Sequence, residues 1–143
     1  MKRKIGTVCL AAMFAAVLTG CFWEKETTFQ IEATVEKTEE NLVVIKVVDA
    51  EENTMLVDVM AYLQTNGALS YTITGGMITG INGKNNPADF SSCWMLYTSD
   101  LELSNTEWGT VTVDGKALGG ALFGAEALPV ADGELYVWSY QSF

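Results

Sequence analysis

The residue whose surroundings point most directly to a chemical reaction is Cys21, which follows Leu18-Thr19-Gly20. A leucine, two small residues and a cysteine form the pattern of a bacterial lipobox. The thiol of such a cysteine accepts a diacylglyceryl group, and the small residues let a signal peptidase reach the bond before it. A basic start at residues 2–4 and an uncharged stretch at residues 5–18 precede the motif, as in a secretory signal. We therefore predict lipidation of Cys21; the alternative is an ordinary secretory signal in which this cysteine is incidental.

This motif divides the chain into a lipoprotein signal peptide at residues 1–20, a short lipidated tether at residues 21–27 and a folded domain at residues 28–143. The uncharged stretch of the signal is shorter than the roughly 20 residues that a membrane-spanning helix needs. The tether reaches about 25 Å when it is fully extended. We expect a lipid-anchored domain on the extracytoplasmic face of the cell membrane, within reach of a membrane transporter or a surface protein, unless the anchor only retains it.

The composition excludes several classes of function. The chain of 143 residues has no histidine and a formal net charge of −10. It therefore has no His-based metal site and no Ser-His-Asp or Cys-His nucleophile, and its acidity disfavours nucleic acid as a partner. Asp49, Glu51 and Asn53 have the spacing that begins a calcium loop, but the central glycine and the distal glutamate do not follow. We predict no enzymatic activity, no catalytic residues, no bound metal and no required cofactor.

Cys93 is the one thiol left for the folded domain, because Cys9 belongs to the signal and Cys21 to the anchor. A single thiol cannot form an internal disulfide, so packing alone must hold the fold. The strand-like neighbours of Cys93 favour a buried, inert thiol over a reactive one.

Hydrophobic periodicity predicts that most of the domain is β structure. Alternation at residues 29–36 indicates a strand with one wet face, and the nearly continuous apolar run at residues 42–48 indicates a strand buried on both faces. Residues 99–109 are predicted to be irregular. The further strand candidates, separated by turn dipeptides such as Asn82-Gly83, are residues 69–74, 77–81, 93–98, 110–113 and 135–141. Residues 110–113 with Asp114-Gly115 are predicted to form a short hairpin.

One segment has helical periodicity instead. Its apolar residues recur at positions i, i+3, i+4 and i+7, namely Leu56, Val59, Met60 and Leu63. They predict a helix over about residues 55–66, capped by Asn53 or Thr54 and ended by Gly67. The order of two strands, a helix and further strands predicts an α+β domain in which a single helix packs on a mixed sheet.

Three segments, at residues 77–83, 93–97 and 128–140, resemble the domain family of unknown function DUF4430. With Gly76 before the first segment, they carry, in the expected order, Gly-x-Ile-x-x-Ile-Asn-Gly, Trp-x-x-Tyr and Asp-Gly-x-x-x-x-Trp-x-Tyr. That family is similar to the C-terminal domain of transcobalamin and intrinsic factor, a β-grasp-like module that closes over cobalamin. The resemblance covers most of residues 30–143, and it implies a β-grasp-like fold and a corrinoid as the ligand.

Aromatic residues mark the surfaces that could bind this ligand. In the last strand Tyr136, Trp138 and Tyr140 point to one face, and in the strand at residues 93–98 Trp94 opposes Tyr97. Both faces of these strands are apolar, whereas one helix covers only one face. The second face is covered either by segment 99–130 or by a ligand or partner. The residues that would plug the face in the first case are Trp108, Leu122 and Phe123.

We place the candidate binding site near residues 118–128, before the final strand. No lysine or arginine lies between Asp89 and Gly115, so an apolar, planar ligand is favoured over an anion. Two functions remain open: a lipid-anchored binding module for a small flat cofactor such as a corrinoid, associated with a membrane transporter, and a cell-surface module that recognises protein or glycan. The candidate ligand or partner contacts are Trp94, Tyr97, Trp108, Leu122 and Phe123.

Overall fold

The structure is a computed structural model that describes residues 30–143. The signal peptide, the predicted lipidation site at Cys21 and the tether lie outside the described residues. A short 3₁₀ turn at Leu101–Leu103 separates two of the strands. In chain order the helix and strands are β1 (Ile31–Glu39), β2 (Leu42–Ala50), α1 (Leu56–Thr65), β3 (Tyr71–Thr74), β4 (Met77–Ile81), β5 (Lys84–Asn85), β6 (Ser92–Thr98), β7 (Ser104–Val113), β8 (Lys116–Ala121) and β9 (Leu135–Ser142).

Six strands form the main sheet in the order β1-β2-β9-β6-β8-β7, and β3-β4-β5 form a small second sheet. The prediction of an α+β domain with a single helix is confirmed for the described part of the chain. The prediction of a mixed sheet is wrong, because every strand pair within residues 30–143 is antiparallel. Tight turns join β1 to β2 and β7 to β8, which forces opposite directions, and β9 enters between β2 and β6 antiparallel to both.

The predicted helical stripe is confirmed, since all four of its residues are buried. The helix ends as expected at Gly67, whose φ is 76°. There the N–H of Gly67 donates to the carbonyl of Gln64 at 3.0 Å, and the N–H of Ala68 donates to that of Leu63 at 2.9 Å. These two bonds form a Schellman motif, which satisfies carbonyls that the last turn would leave unpaired.

The start of α1 differs from the expectation that Asn53 or Thr54 caps it. The Thr54 hydroxyl donates backwards to the carbonyl of Glu51, and the Asp58 carboxylate accepts from the N–H of Met55 at 2.9 Å. Two further N–H groups at the helix start donate to backbone carbonyls of segment 122–130: Leu56 to Leu128 and Val57 to Ala125, both at 2.9 Å. The helix start therefore needs no Ser or Thr cap, and it holds segment 122–130 against itself.

Two hydrophobic clusters lie on opposite faces of the main sheet. The larger one packs α1 and the small sheet against residues such as Ile45 and Tyr136. The smaller one, on the other face, contains Val44, Tyr97, Val113, Leu118 and Val137. Segment 99–130 thus covers the second face, as one of the two predicted alternatives stated, but it does so through Val113 and Leu118 of the β7–β8 hairpin.

Residues 104–109, predicted to be irregular, belong to β7. Ser104 and Asn105 pair with β8, and the register then shifts so that Thr110 pairs with Gly119, which leaves residues 106–109 as a bulge. The close approach depends on glycine, because a Cβ on Gly119 would lie 3.0 Å from backbone atoms of Asn105 and Thr106. A glycine that allows close approach of a neighbouring backbone leaves no hydrophobic periodicity in the sequence. The hydrophobic pattern therefore did not predict this pairing.

Candidate functional site

A cavity of about 340 Å³ opens on the helix side of the main sheet. Its walls come from the β3–β4 hairpin, β6, β9 and the chain that follows β8. None of its lining residues carries a charge. They are Gly76, Met77, Ile78, Trp94, Met95, Leu96, Ala121, Leu122, Phe123, Gly124, Ala125 and Trp138.

The floor of the cavity is set by the register of β6 and β9. Leu96 lies opposite Trp138, and Trp94 lies opposite Tyr140, so Trp94, Leu96 and Trp138 share one face. Trp94 is held further by its indole Nε1–H, which donates to the carbonyl of Lys84 at 2.8 Å. Its ring also meets that of Tyr140 edge-on at 5.3 Å. Trp94 is therefore held in place, and two indole rings contribute to the floor.

The opening of the cavity is apolar and faces solvent. Met77 and Phe123 are each 48% exposed, although both are large hydrophobic side chains. The chain that carries Phe123 is fixed at two points, since Leu122 N–H donates to the carbonyl of Leu103 at 3.0 Å and the Ala125 carbonyl accepts from the start of α1. A solvent-facing apolar rim over a buried aromatic floor is typical of a binding site.

A negatively charged group lies beside this lining. A Cβ on Gly76 would lie 3.1 Å from Oε1 of Glu126, which places that carboxylate beside the cavity wall. Because no lysine or arginine lines the cavity, an anion that entered would lose its water without gaining a counter-charge. The site therefore favours a neutral ligand.

The structure brings together three of the five predicted contact residues. Trp94, Leu122 and Phe123 all line the cavity. Tyr97 lies in the cluster on the opposite face, where its hydroxyl accepts from Gln141 Nε2 at 2.8 Å. Trp108 sits on the β7 bulge and is 58% exposed. Trp94 and Tyr97 are three residues apart in one strand, so they must face opposite ways, and the five residues do not form one site.

Four lining residues were not predicted as contacts: Met77, Ile78, Leu96 and Trp138. The alternation within β6 and within β9 already places Leu96 and Trp138 on definite faces of their strands. The missing information was the register between these strands, which brings the two residues opposite each other. The contribution of the β3–β4 hairpin depends on how the small sheet packs, and no periodicity reports that.

A second cleft, of about 550 Å³, lies between the β1–β2 turn and the β4–β5 turn. Lys84 crosses it, with its Nζ 3.3 Å from a carboxylate oxygen of Glu40, 2.7 Å from Oδ1 of Asn41 and 4.5 Å from the ring centre of Tyr140. These contacts fasten the small sheet to the main sheet. We assign this cleft a structural role, because its cation is already engaged and its lining consists largely of turn residues.

Three other features concern the described residues. Burial raises the pKa of the Cys93 thiol, so the neutral thiol, a poor nucleophile, prevails near neutral pH. Within residues 30–143 no group of three or more His, Cys, Asp or Glu residues is arranged to hold a metal ion. In the same part of the chain, no helix combines the length and the apolar character needed to cross a bilayer.

Comparisons with known proteins return no relative. No family model matches the sequence, no curated protein matches it, and no solved structure matches the fold. The resemblance to DUF4430 therefore stays a prediction that rests on its three sequence segments.

Proposed function

We propose that this chain is a lipid-anchored extracytoplasmic binding module that takes a neutral, planar, apolar group into the cavity of about 340 Å³. One observation carries the proposal. The same cavity combines two nearly buried indoles, those of Trp94 and Trp138, with two half-exposed apolar side chains at its rim, Met77 and Phe123. An uncharged aromatic floor favours a flat ligand. A ligand that covers the exposed apolar rim removes it from water, which stabilises the complex.

The energetics are adequate for useful affinity. Full burial of one large apolar side chain contributes roughly 1.5–3 kcal/mol. Two or three such contacts support micromolar binding once the cost of association is subtracted. The cavity volume of about 340 Å³ lies near the lower end of the range for small-molecule sites, roughly 300–1,000 Å³. A bicyclic aromatic group fits within it, whereas a corrinoid, the ligand implied by the DUF4430 resemblance, would insert only one edge.

The proposed location follows from the lipobox at Cys21 and the short tether. A tether that reaches about 25 Å would keep the cavity near the bilayer, where a membrane transporter could receive the ligand. The β-grasp-like relationship is part of the same proposal and is supported by the motif order in residues 77–140. The alternative, a module that recognises a surface protein, is supported by Ile73, an exposed apolar residue of the β3–β4 hairpin that does not line the cavity.

The test uses the full chain in phospholipid nanodiscs, with empty nanodiscs as the reference for partition of the probe into lipid. The probes are 2-acetylnaphthalene, a neutral planar ketone, and cyanocobalamin, a corrinoid. Phe123→Ala should weaken the binding of 2-acetylnaphthalene about tenfold, which corresponds to about 1.4 kcal/mol of lost burial. Trp108→Ala is the matched control, since it removes an exposed aromatic side chain that does not line the cavity, and it should leave affinity unchanged.

Equal affinities in these two variants, or no binding by the wild type, would contradict the proposed site. Binding of 2-acetylnaphthalene without binding of cyanocobalamin would remove the corrinoid and keep the site for smaller planar ligands.

A further inference from the structure

The two indoles that line the cavity differ in their hydrogen bonding. Trp94 Nε1–H donates to the carbonyl of Lys84 at 2.8 Å. Trp138 is only 4% exposed, and its Nε1–H has no acceptor within the described residues. The other buried side-chain atom without a partner there is Nδ2 of Asn86, a residue that does not line the cavity. Buried donors are nearly always paired in native proteins, so the Trp138 donor calls for an acceptor from outside the chain.

We infer that the ligand of this cavity carries a hydrogen-bond acceptor that Trp138 Nε1–H engages, which makes the ligand class a neutral aromatic carbonyl compound. The inference rests on the proposed function and narrows it. An indole N–H is a donor only, so it pairs with the lone pair of an acceptor atom such as a carbonyl oxygen.

The acceptor is uncharged for an electrostatic reason. A carboxylate or phosphate in the cavity would meet one N–H group, no cationic side chain and the nearby carboxylate of Glu126. A single neutral donor does not offset the loss of hydration of an anion. A ketone or quinone-like carbonyl has a smaller desolvation cost, which one good hydrogen bond largely offsets.

The acceptor reaches Trp138 through a small rearrangement of the lining. The Nε1 atom is shielded from solvent, so a lining side chain must move when the ligand enters. Met77 is suited to this movement, because it is 48% exposed and unbranched. Trp94, by contrast, is held by its hydrogen bond to Lys84 and its contact with Tyr140.

The test is a double-mutant cycle between ligand and protein, with the full chain in nanodiscs. The probes are 2-acetylnaphthalene and 2-ethylnaphthalene, which share a ring system and nearly the same size but differ in the carbonyl. Trp138→Phe keeps an aromatic ring and removes the donor. It should weaken binding of the ketone about fivefold more than binding of the ethyl compound. Trp94→Phe, the matched control, should change both affinities by the same factor.

An equal change for both probes in Trp138→Phe would overturn the inference while leaving the Phe123-dependent site in place. Failure of both probes to bind in a Phe123-dependent way would contradict the proposed function itself. If Trp138→Phe does not fold, the wild type decides the matter by NMR. The Trp138 indole N–H resonance should then move further downfield with the ketone than with the ethyl compound, and equal movement with both would overturn the inference.

Discussion

Tyr136 shows how a single buried side chain couples the fold to pH. The residue is fully buried, its hydroxyl accepts from the N–H of Ala131 at 2.8 Å, and burial raises its pKa from 10.0 to about 12. The folded chain therefore holds this proton more tightly than the unfolded chain does. Its contribution to stability is complete below about pH 10 and is lost as the pH rises towards 12.

We predict that the free energy of unfolding falls by about 2 kcal/mol between pH 10 and pH 12 through this one group. Urea titrations at several pH values measure the fall. Tyr136→Phe should be less stable than the wild type near neutral pH, because the N–H of Ala131 loses its acceptor, and should show a shallower alkaline slope. Parallel pH profiles for the two proteins would contradict the account.

The proposed membrane location depends on lipidation of Cys21, and substitution of Cys93 provides the control. Replacement of Cys21 by alanine removes the thiol that would accept the lipid, so we predict loss of membrane attachment. Detergent phase separation of the expressed protein measures the attachment. Cys93→Ala removes the half-buried thiol of the domain and should leave attachment unchanged. A Cys21→Ala protein that still enters the detergent phase would exclude the lipoprotein interpretation.

At the scale of the helix, the stripe on α1 carries a stability prediction. Leu63 is 2% exposed in the larger hydrophobic cluster, whereas Leu101 is 87% exposed in the 3₁₀ turn. Leu63→Ala should lower the free energy of unfolding by about 2–5 kcal/mol, and Leu101→Ala should change it by less than about 0.5 kcal/mol. Chemical denaturation of both variants tests this, and similar small losses would mean that the stripe is not packed.

The β7–β8 pairing rests on a glycine, and a second glycine serves as its control. A Cβ on Gly119 would lie 3.0 Å from the backbone of Asn105 and Thr106, while a Cβ on Gly124 would have no neighbour within 4 Å. Gly119→Ala should cost about 1–3 kcal/mol through overpacking, and Gly124→Ala should be nearly neutral. Equal melting temperatures for the two variants would show that β8 does not approach β7 this closely.

These segments also show which parts of the fold could be predicted from the sequence. The helix at Leu56–Thr65 was predictable because four apolar residues at helical spacing must bury one face. The hairpin turn at Asp114-Gly115 was predicted and is confirmed, but the extent of β8 was not, because its glycines contribute close backbone approach and no periodicity. The antiparallel placement of β9 between β2 and β6 was not predictable either, because strand direction depends on pairing across distant parts of the chain.

At the scale of the whole molecule, the cavity combines parts that lie far apart in sequence. Strand alternation could separate Trp94 from Tyr97. It could not show that Phe123 lies beside Trp94 in one cavity. That placement depends on two backbone hydrogen bonds, in which Leu122 donates to Leu103 and Ala125 accepts from Val57 at the start of α1. The apolar and aromatic character of the candidate site was therefore predictable, but only some of the residues that line it were.

The indole N–H resonances of the described tryptophans report directly on whether the helix-side cavity binds a neutral planar ligand. Trp94 and Trp138 line that cavity, and Trp108 lies on the β7 bulge away from it. The decisive measurement is a proton–nitrogen NMR titration of the full chain in nanodiscs with 2-acetylnaphthalene, in which each indole N–H is assigned by its Trp→Phe variant. We expect saturable shifts of the Trp94 and Trp138 resonances and a stationary Trp108 resonance. Movement of Trp108 alone, or of none of the three, would contradict the proposed site.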